Sequence, residues 1–272
     1  MSAFTGLLQF VPNIEIANQF LESDFCLKDI LSYKKKDFKS DHCNNVKYDN
    51  LEGKILTVGI IEKCCFISCF TILKDSFFEE YSPYKLKKEA IEGLERGNVN
   101  EHGKKILRPF ITIKEANLKP VDDELNVQTE SFFKSNNYNG QHFSANNYKG
   151  PHFSAKKVNY LAVGDYLVRG SETQEKLKKI RSSNKKVKRI DTNKLTNQQK
   201  SDLCDALKFM YLTKLEKYQV QNEYRMLIIS DEPLSEEYLD NDLLRVPIGR
   251  SLHNYIKVHK HEDIYNLTKF DL

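Results

Sequence analysis

The sequence has no tryptophan, no Cys-x-x-Cys pair and no apolar run that approaches the length of a membrane span. These absences narrow the reading. The six cysteines (Cys26, Cys43, Cys64, Cys65, Cys69 and Cys204) fit reduced, cytoplasmic thiols rather than a disulfide framework. Three of them lie in one apolar run, where they read as small core residues. His42 and Cys43 are poorly spaced for a zinc site, and no set of acidic ligands suits a metal-dependent nuclease. No metal is therefore expected. The opening residues, MSAFTGLLQFVPN, lack a basic n-region and a long apolar core, so they do not read as a signal peptide. The expected setting is the cytoplasm, without a membrane partner. A net charge of +4 and a pI near 8.5 fall short of the charge density usual in nucleic-acid-binding proteins. The excess is concentrated, however, in the run Lys176 to Arg189 (KLKKIRSSNKKVKR).

What is present is enough for a sizeable core. Hydrophobic residues make up 40% of 272 and charged residues 29%, and a mean hydropathy of −0.58 points to long polar loops. Leu7 to Val11 reads as an opening strand stopped by Pro12. Asn13 is the expected N-cap of a helix over Ile14–Glu22, where Ile14, Ala17, Phe20 and Leu21 share a face. The polar stretch 33–50 reads as a surface loop. Ile55–Ile61 and Cys64–Leu73 suggest a hairpin, with Cys64–Phe70 as a central strand buried on both faces. Its one hydroxyl, Ser68, reads either as a core serine or as a ligand contact. Lys85–Arg96 has helical periodicity, and Ile106–Ile113, with Pro109 inside, reads as an edge or bulged strand.

Residues 117–157 read as a loop insertion. Within it, Asn136 to Ala145 is followed at once by a second copy, Asn146 to Ala155, identical except at two positions. Two copies of ten residues are too few for a solenoid. Val158–Val163 is strand-like, Glu172–Ile180 helical, and the basic run follows. Thr196 is the expected N-cap of a long helix striped by Leu203, Leu207, Met210, Tyr211 and Leu215. That helix leads to Gln219–Ile229, read as a strand with Gln219, Gln221, Glu223 and Arg225 on one face. The two apolar segments Leu243–Ile248 and Tyr255–Val258 finish a sheet. The expectation is one α+β domain over residues 1–272, with a mixed or antiparallel sheet and a long late helix packed on it.

The order of these features resembles a widespread bacterial and phage domain-of-unknown-function family. The resemblance rests on Cys64-Cys65-Phe66-Ile67-Ser68-Cys69-Phe70, on the aromatic segment near Tyr81, on Val158-Asn159-Tyr160, and on Lys208 and Lys214 leading into Asn222-Glu223-Tyr224-Arg225. It covers most of the chain outside 117–157. The chain departs from the family pattern where Trp precedes the Tyr, and where Gln221 stands for the first acid of Glu-x-Glu. The resemblance implies a role as a toxin, or in defence or counter-defence.

The same residues are similar, more weakly, to an ADP-ribosyltransferase-like site: Gln9 on an opening strand, Ser68 on a second, and Gln221-x-Glu223 on a later one. In that reading NAD is the substrate. Glu223 bonds the ribose and stabilises an oxocarbenium-like charge, and Gln221 orients the acceptor. Tyr81 or Tyr160 stacks on nicotinamide, and Arg225 or Lys214 meets the pyrophosphate. Ser68 completes the pocket. The alternative is a non-catalytic accessory protein that binds a protein or nucleic-acid target, with Lys185, Lys186, Lys188 and Arg189 neutralising phosphates.

Overall fold

The computed structural model of the chain describes residues 4–29, 65–96, 98–99, 103–136, 152–182, 196–230, 234–240 and 243–272. The opening apolar run forms β1 (Phe4–Phe10), and Pro12 ends it before α1 (Ile14–Glu22). Asn13 caps that helix, its side chain accepting from Ile16 N at 2.9 Å. The chain turns directly into β2 (Asp24–Asp29) and later enters β3 (Cys65–Lys74). There follow α2 (Lys88–Glu95), β4 (Phe110–Lys114), α3 (Leu118–Ser135), β5 (His152–Lys157) and β6 (Asn159–Leu161). Two long helices come next, α4 (Val163–Ser182) and α5 (Asn197–Leu212), then β7 (Thr213–Leu215) and β8 (Glu223–Ile229). The last strands are β9 (Leu239–Asp240), β10 (Leu243–Pro247) and β11 (Ile256–His259).

The domain is α+β, and its main sheet is antiparallel, with nine strands among the described residues. β3 is its hub. One edge of β3 pairs with β8 from Cys65↔Ile229 to Thr71↔Glu223, and β5 lies outside β8. The other edge is shared. Phe66 and Ile67 face β2, whereas Thr71 to Lys74 face β1. The sheet therefore forks, one branch continuing through β1, β4 and β11, the other through β2, β10 and β9. Helix α1 joins the two branches.

Alternation sorts the side chains of β3 into two cores. Phe66, Phe70 and Ile72 face a large cluster with Phe20 of α1, Phe25 of β2, Leu125 and Phe133 of α3, and Met226 of β8. Cys65 and Ile67 face the other way, against Leu177 and Ile180 of α4 and Ala206 and Tyr211 of α5. The late helices thus pack on the face opposite α1 and α3. Beside them Leu8, Leu73 and Phe110 pack with Phe78, Ile91 of α2 and Ile264. Glu95 at the end of α2 ties that helix to later segments, pairing with Lys105 at 2.6 Å and His261 at 3.0 Å.

Several expectations are corrected. Residues 117–157 are not a loop insertion throughout. Residues 118–135 form α3, whose buried stripe Val121, Leu125, Thr129 and Phe133 repeats every four residues, and 152–157 form an edge strand. The stripe is narrow and bordered by charge, which hides it from a reading of apolar runs. Pro109 precedes β4 rather than lying inside it, and β4 is no edge, since it pairs with both β1 and β11. Val163 begins α4 instead of ending a strand. The expected central strand is present as β3, and Thr196 caps α5 in a capping box with Gln199. The Ile55–Ile61 half of the expected hairpin lies outside the described residues.

Gly6 of β1 lies opposite Lys114 of β4. A Cβ there would lie 2.6 Å from the carbonyl oxygen of Ile113. Gly6→Ala is expected to lower stability by about 1–3 kcal/mol through overpacking. Gly93→Ala, inside α2 and with open space around it, is expected to raise stability by up to about 1 kcal/mol. Urea unfolding of the two variants checks this; equal effects would contradict the close β1–β4 contact.

Candidate functional site

A buried carboxylate organises the start of β8. Alternation places Glu223 and Arg225 on the face of the late helices, opposite Thr71 and Cys69 of β3. Glu223 is 7% exposed and Arg225 3%. Charges so deep need partners. Arg225 Nε donates to Glu223 Oε1 at 2.8 Å, and Lys214 Nζ lies 2.9 Å from Oε2. The thiol of Cys69 adds a further hydrogen bond to the carboxylate. Burial pushes the Glu223 carboxyl up, but the charges of Arg225 and Lys214 and the hydrogen bonds together hold it well below the usual carboxylate range. Burial, then the Glu223 charge, pushes the Cys69 thiol far up, so it stays protonated and can donate.

The cations have second duties. Arg225 Nη1 donates to the carbonyl of Tyr211 at 2.6 Å, in the last turn of α5. Carbonyls there have no partner within the helix, and a cation suits them. Lys214 stands just after that helix, on β7, and also donates to Gln221 Oε1 at 3.1 Å. β7 pairs in parallel with β6, in register Tyr160↔Lys214. The Tyr160 hydroxyl accepts from Glu223 N at 2.9 Å. Burial, then the Glu223 charge, raises the Tyr160 pKa. Asn222, immediately before the strand, has φ 42°, a left-handed conformation that Asn tolerates better than most residues.

The structure therefore brings Glu223, Arg225, Lys214, Gln221 and Tyr160 together. It separates the other candidates. Ser68 lies on the opposite face of β3, 2% exposed, where its hydroxyl and the Gln9 amide exchange hydrogen bonds of 3.1 and 3.2 Å in the fork between β1 and β2. Tyr81 is 80% exposed in the turn before α2, near Tyr84 and the C-terminal segment, away from this cluster. Gln219 and Gln221 belong to a short 3-10 segment, Glu216–Gln221, rather than to β8. The expected four-residue polar face is thus corrected to two residues, because the turn at Asn222 breaks the alternation. Lys185, Lys186, Lys188 and Arg189 lie outside the described residues. The described part of the basic run ends α4, with Lys176 paired to Asp202 at 3.4 Å and Lys178 to Glu175 at 2.7 Å.

Sequence reasoning missed Cys69 and the carbonyl of Tyr211. Parity along β3 and β8 identifies Cys69 once the register is known. Tyr211 has no sequence signal, since its role is played by the backbone. A half-buried acid, Asp122 of α3, lies on the opposite face and accepts from the Tyr224 hydroxyl at 3.3 Å. Burial raises its pKa to about 6. Among the described residues no three His, Cys, Asp or Glu side chains converge on a metal position. None of their helices is long and apolar enough to cross a membrane. Comparisons with family models, curated proteins and solved structures give no match.

Two outcomes follow from these acids. Glu223→Gln leaves two cations facing a neutral amide and is expected to cost about 3–5 kcal/mol, as for other broken buried ion pairs. The depressed carboxyl stabilises the fold fully above the unfolded Glu pKa of about 4.3. The difference between variant and wild type should therefore shrink as pH falls below that value, which unfolding curves from pH 7 to pH 3 will read. Asp122 has the reverse sign. Its raised pKa means that stability is full below the unfolded Asp pKa of about 3.9 and is lost as pH rises through about 6. Asp122→Asn should raise Tm relative to wild type at pH 7.5 and lose that advantage below pH 4.

Proposed function

We propose that this chain is a non-catalytic binding protein whose ligand is nucleic acid, and that the Glu223 cluster is a structural clamp. One observation carries the reading. The carboxylate that an ADP-ribosyltransferase-like mechanism requires is engaged by Arg225 at 2.8 Å and Lys214 at 2.9 Å in a buried setting. A carboxylate that stabilises a developing ribosyl cation must meet that cation in the transition state. Here the place is taken by two permanent cations. Ser68, which that mechanism would set beside Glu223, faces the opposite core.

The clamp supports binding indirectly. Arg225 fixes the end of α5, and α5 packs with α4, the helix that leads into the basic run. Residues 176–189 hold eight cations and no acid. Such a run neutralises phosphates without reading bases, so binding weakens steeply with salt. The absence of aromatic residues from it argues against base stacking as the main contribution. A place in bacterial or phage defence or counter-defence is part of the proposal on the strength of the motif resemblance.

The test pairs two ligands. Fluorescence anisotropy with a mixed-sequence oligonucleotide should give binding that falls at least tenfold between 50 and 200 mM salt. Replacing Lys185, Lys186, Lys188 and Arg189 with Gln should abolish it while Tm stays unchanged. NAD should leave Tm unshifted, in contrast to the stabilisation expected of a bound ligand. An NAD-induced shift that Glu223→Gln removes, without oligonucleotide binding, would restore the enzyme reading.

A further inference from the structure

Two copies of one decapeptide occupy residues 136–145 and 146–155, differing only at Asn139/Lys149 and Gln141/Pro151. The second copy supplies the first four residues of β5. His152, Phe153, Ser154 and Ala155 pair with Ile229, Ile228, Leu227 and Met226. Phe153 lies in the buried core, 6.5 Å from the ring of Phe25 in an edge-to-face contact. Ser154 and Ala155 are half-buried, and Lys156 and Lys157 are exposed.

The first copy carries the same four residues in the same order, His142-Phe143-Ser144-Ala145. Asn146 and Asn147 follow, corresponding to the two exposed lysines. A strand's register is set by the side chains it buries. Here two windows ten residues apart offer the same ones in sequence. Among the described residues β5 pairs with β8 alone, so replacing it disturbs no second described strand.

The connections permit the replacement. Tyr224, paired with Lys157 at the end of β5, donates to Asp122 in the first turns of α3, while Phe133 near the end of α3 shares a core cluster with Phe153 near the start of β5. Helix α3 therefore runs back along β5. With the second copy in place, residues 136–151 link Ser135 to the strand. With the first copy in place the link is 136–141, an ordinary length for a helix-to-strand connection. Pro151 has a fixed φ and no N–H, which pre-sets entry into the strand at the second copy. Gln141 lacks that restraint.

We propose that the duplication gives the sheet two interchangeable edge strands, residues 142–147 and 152–157, which exchange by a shift of ten residues. The exchange moves ten residues of slack from the end of α3 to the start of β6. There Val158 N donates to Glu223 O at 2.9 Å, and the Tyr160 hydroxyl accepts from Glu223 N at 2.9 Å. Edge-strand choice and the Glu223 cluster are thereby coupled through two residues.

A double-mutant comparison tests this by thermal unfolding of the full chain. Phe143→Ala is expected to leave Tm unchanged, because the second copy holds the strand. Phe153→Ala should lower Tm by less than half the drop of the double variant, because the first copy takes over with Phe143. A Phe153→Ala variant that drops as far as the double variant, or fails to fold, overturns the proposal, as do equal small shifts in both. A deletion of residues 137–146 gives an independent reading. It should be tolerated alone but should give Phe153→Ala the full destabilisation of the double variant.

Discussion

The Glu223 carboxylate, held between Arg225 and Lys214, is the interaction on which the arrangement of the late helices depends. Remove it in thought and the buried Arg225 guanidinium keeps its bond to the Tyr211 carbonyl but loses its counter-charge, which costs several kcal/mol. The register of β8 follows from the same requirement. A one-residue slip against β3 would turn Glu223 and Arg225 toward Phe66 and Phe70 and send Tyr224 and Met226 under the helices. An apolar strand could tolerate some slippage, since both faces of β3 are apolar. The ion cluster removes that freedom. Its contribution is to select one pairing, and the net stability it adds is smaller than the penalty it sets on the alternatives.

The second constraint is the fork. β3 meets β2 near its start and β1 near its end along one edge, and Ser68 to Phe70 lie between. The hydroxyl of Ser68, buried between two diverging branches, needs a partner. Gln9 supplies both a donor and an acceptor at 3.1 and 3.2 Å, just where β1 leaves β3 for β4. This polar bridge lets the sheet split without an unsatisfied group, while α1 spans the two branches with Phe20 packed against Phe25. The residues that resembled a ligand pocket thus solve a problem of sheet geometry.

Local chemistry was legible in the sequence and long-range chemistry was not. Asn13 and Thr196 were readable as caps because a cap acts on residues two or three positions away. β3 was readable because a strand paired on both edges must be apolar nearly throughout. Helix α3 was missed because its four buried positions are single residues among acids and lysines, so no apolar run marks them. The polar face over Gln219–Arg225 was misread because one left-handed residue, Asn222, ends the 3-10 segment and restarts the alternation. Glu223 and Arg225 were correctly placed together, two apart on a strand. That they meet Cys69 depends on a pairing across more than a hundred residues, and that they meet Lys214 and the Tyr211 carbonyl depends on how the end of α5 folds back onto β8; no spacing encodes either.

The distinction between a structural acid and a catalytic one rests on what the group does when the substrate is absent. A catalytic carboxylate gains its best partner only in the transition state. Glu223 has its best partners already: Arg225, Lys214 and Cys69 hold it ionised, and its own backbone N–H is taken by Tyr160. Any cationic transition state would have to displace Lys214, the less buried of the two cations at 11% side-chain exposure, and would gain only the difference between two similar attractions. The same full engagement suits a clamp. Each partner comes from a different element, β3, β6, β7 or β8, and through the Tyr211 carbonyl from α5. One carboxylate therefore fixes five elements relative to each other, and the α4–α5 pair carries the first cations of the basic run, Lys176 to Arg181.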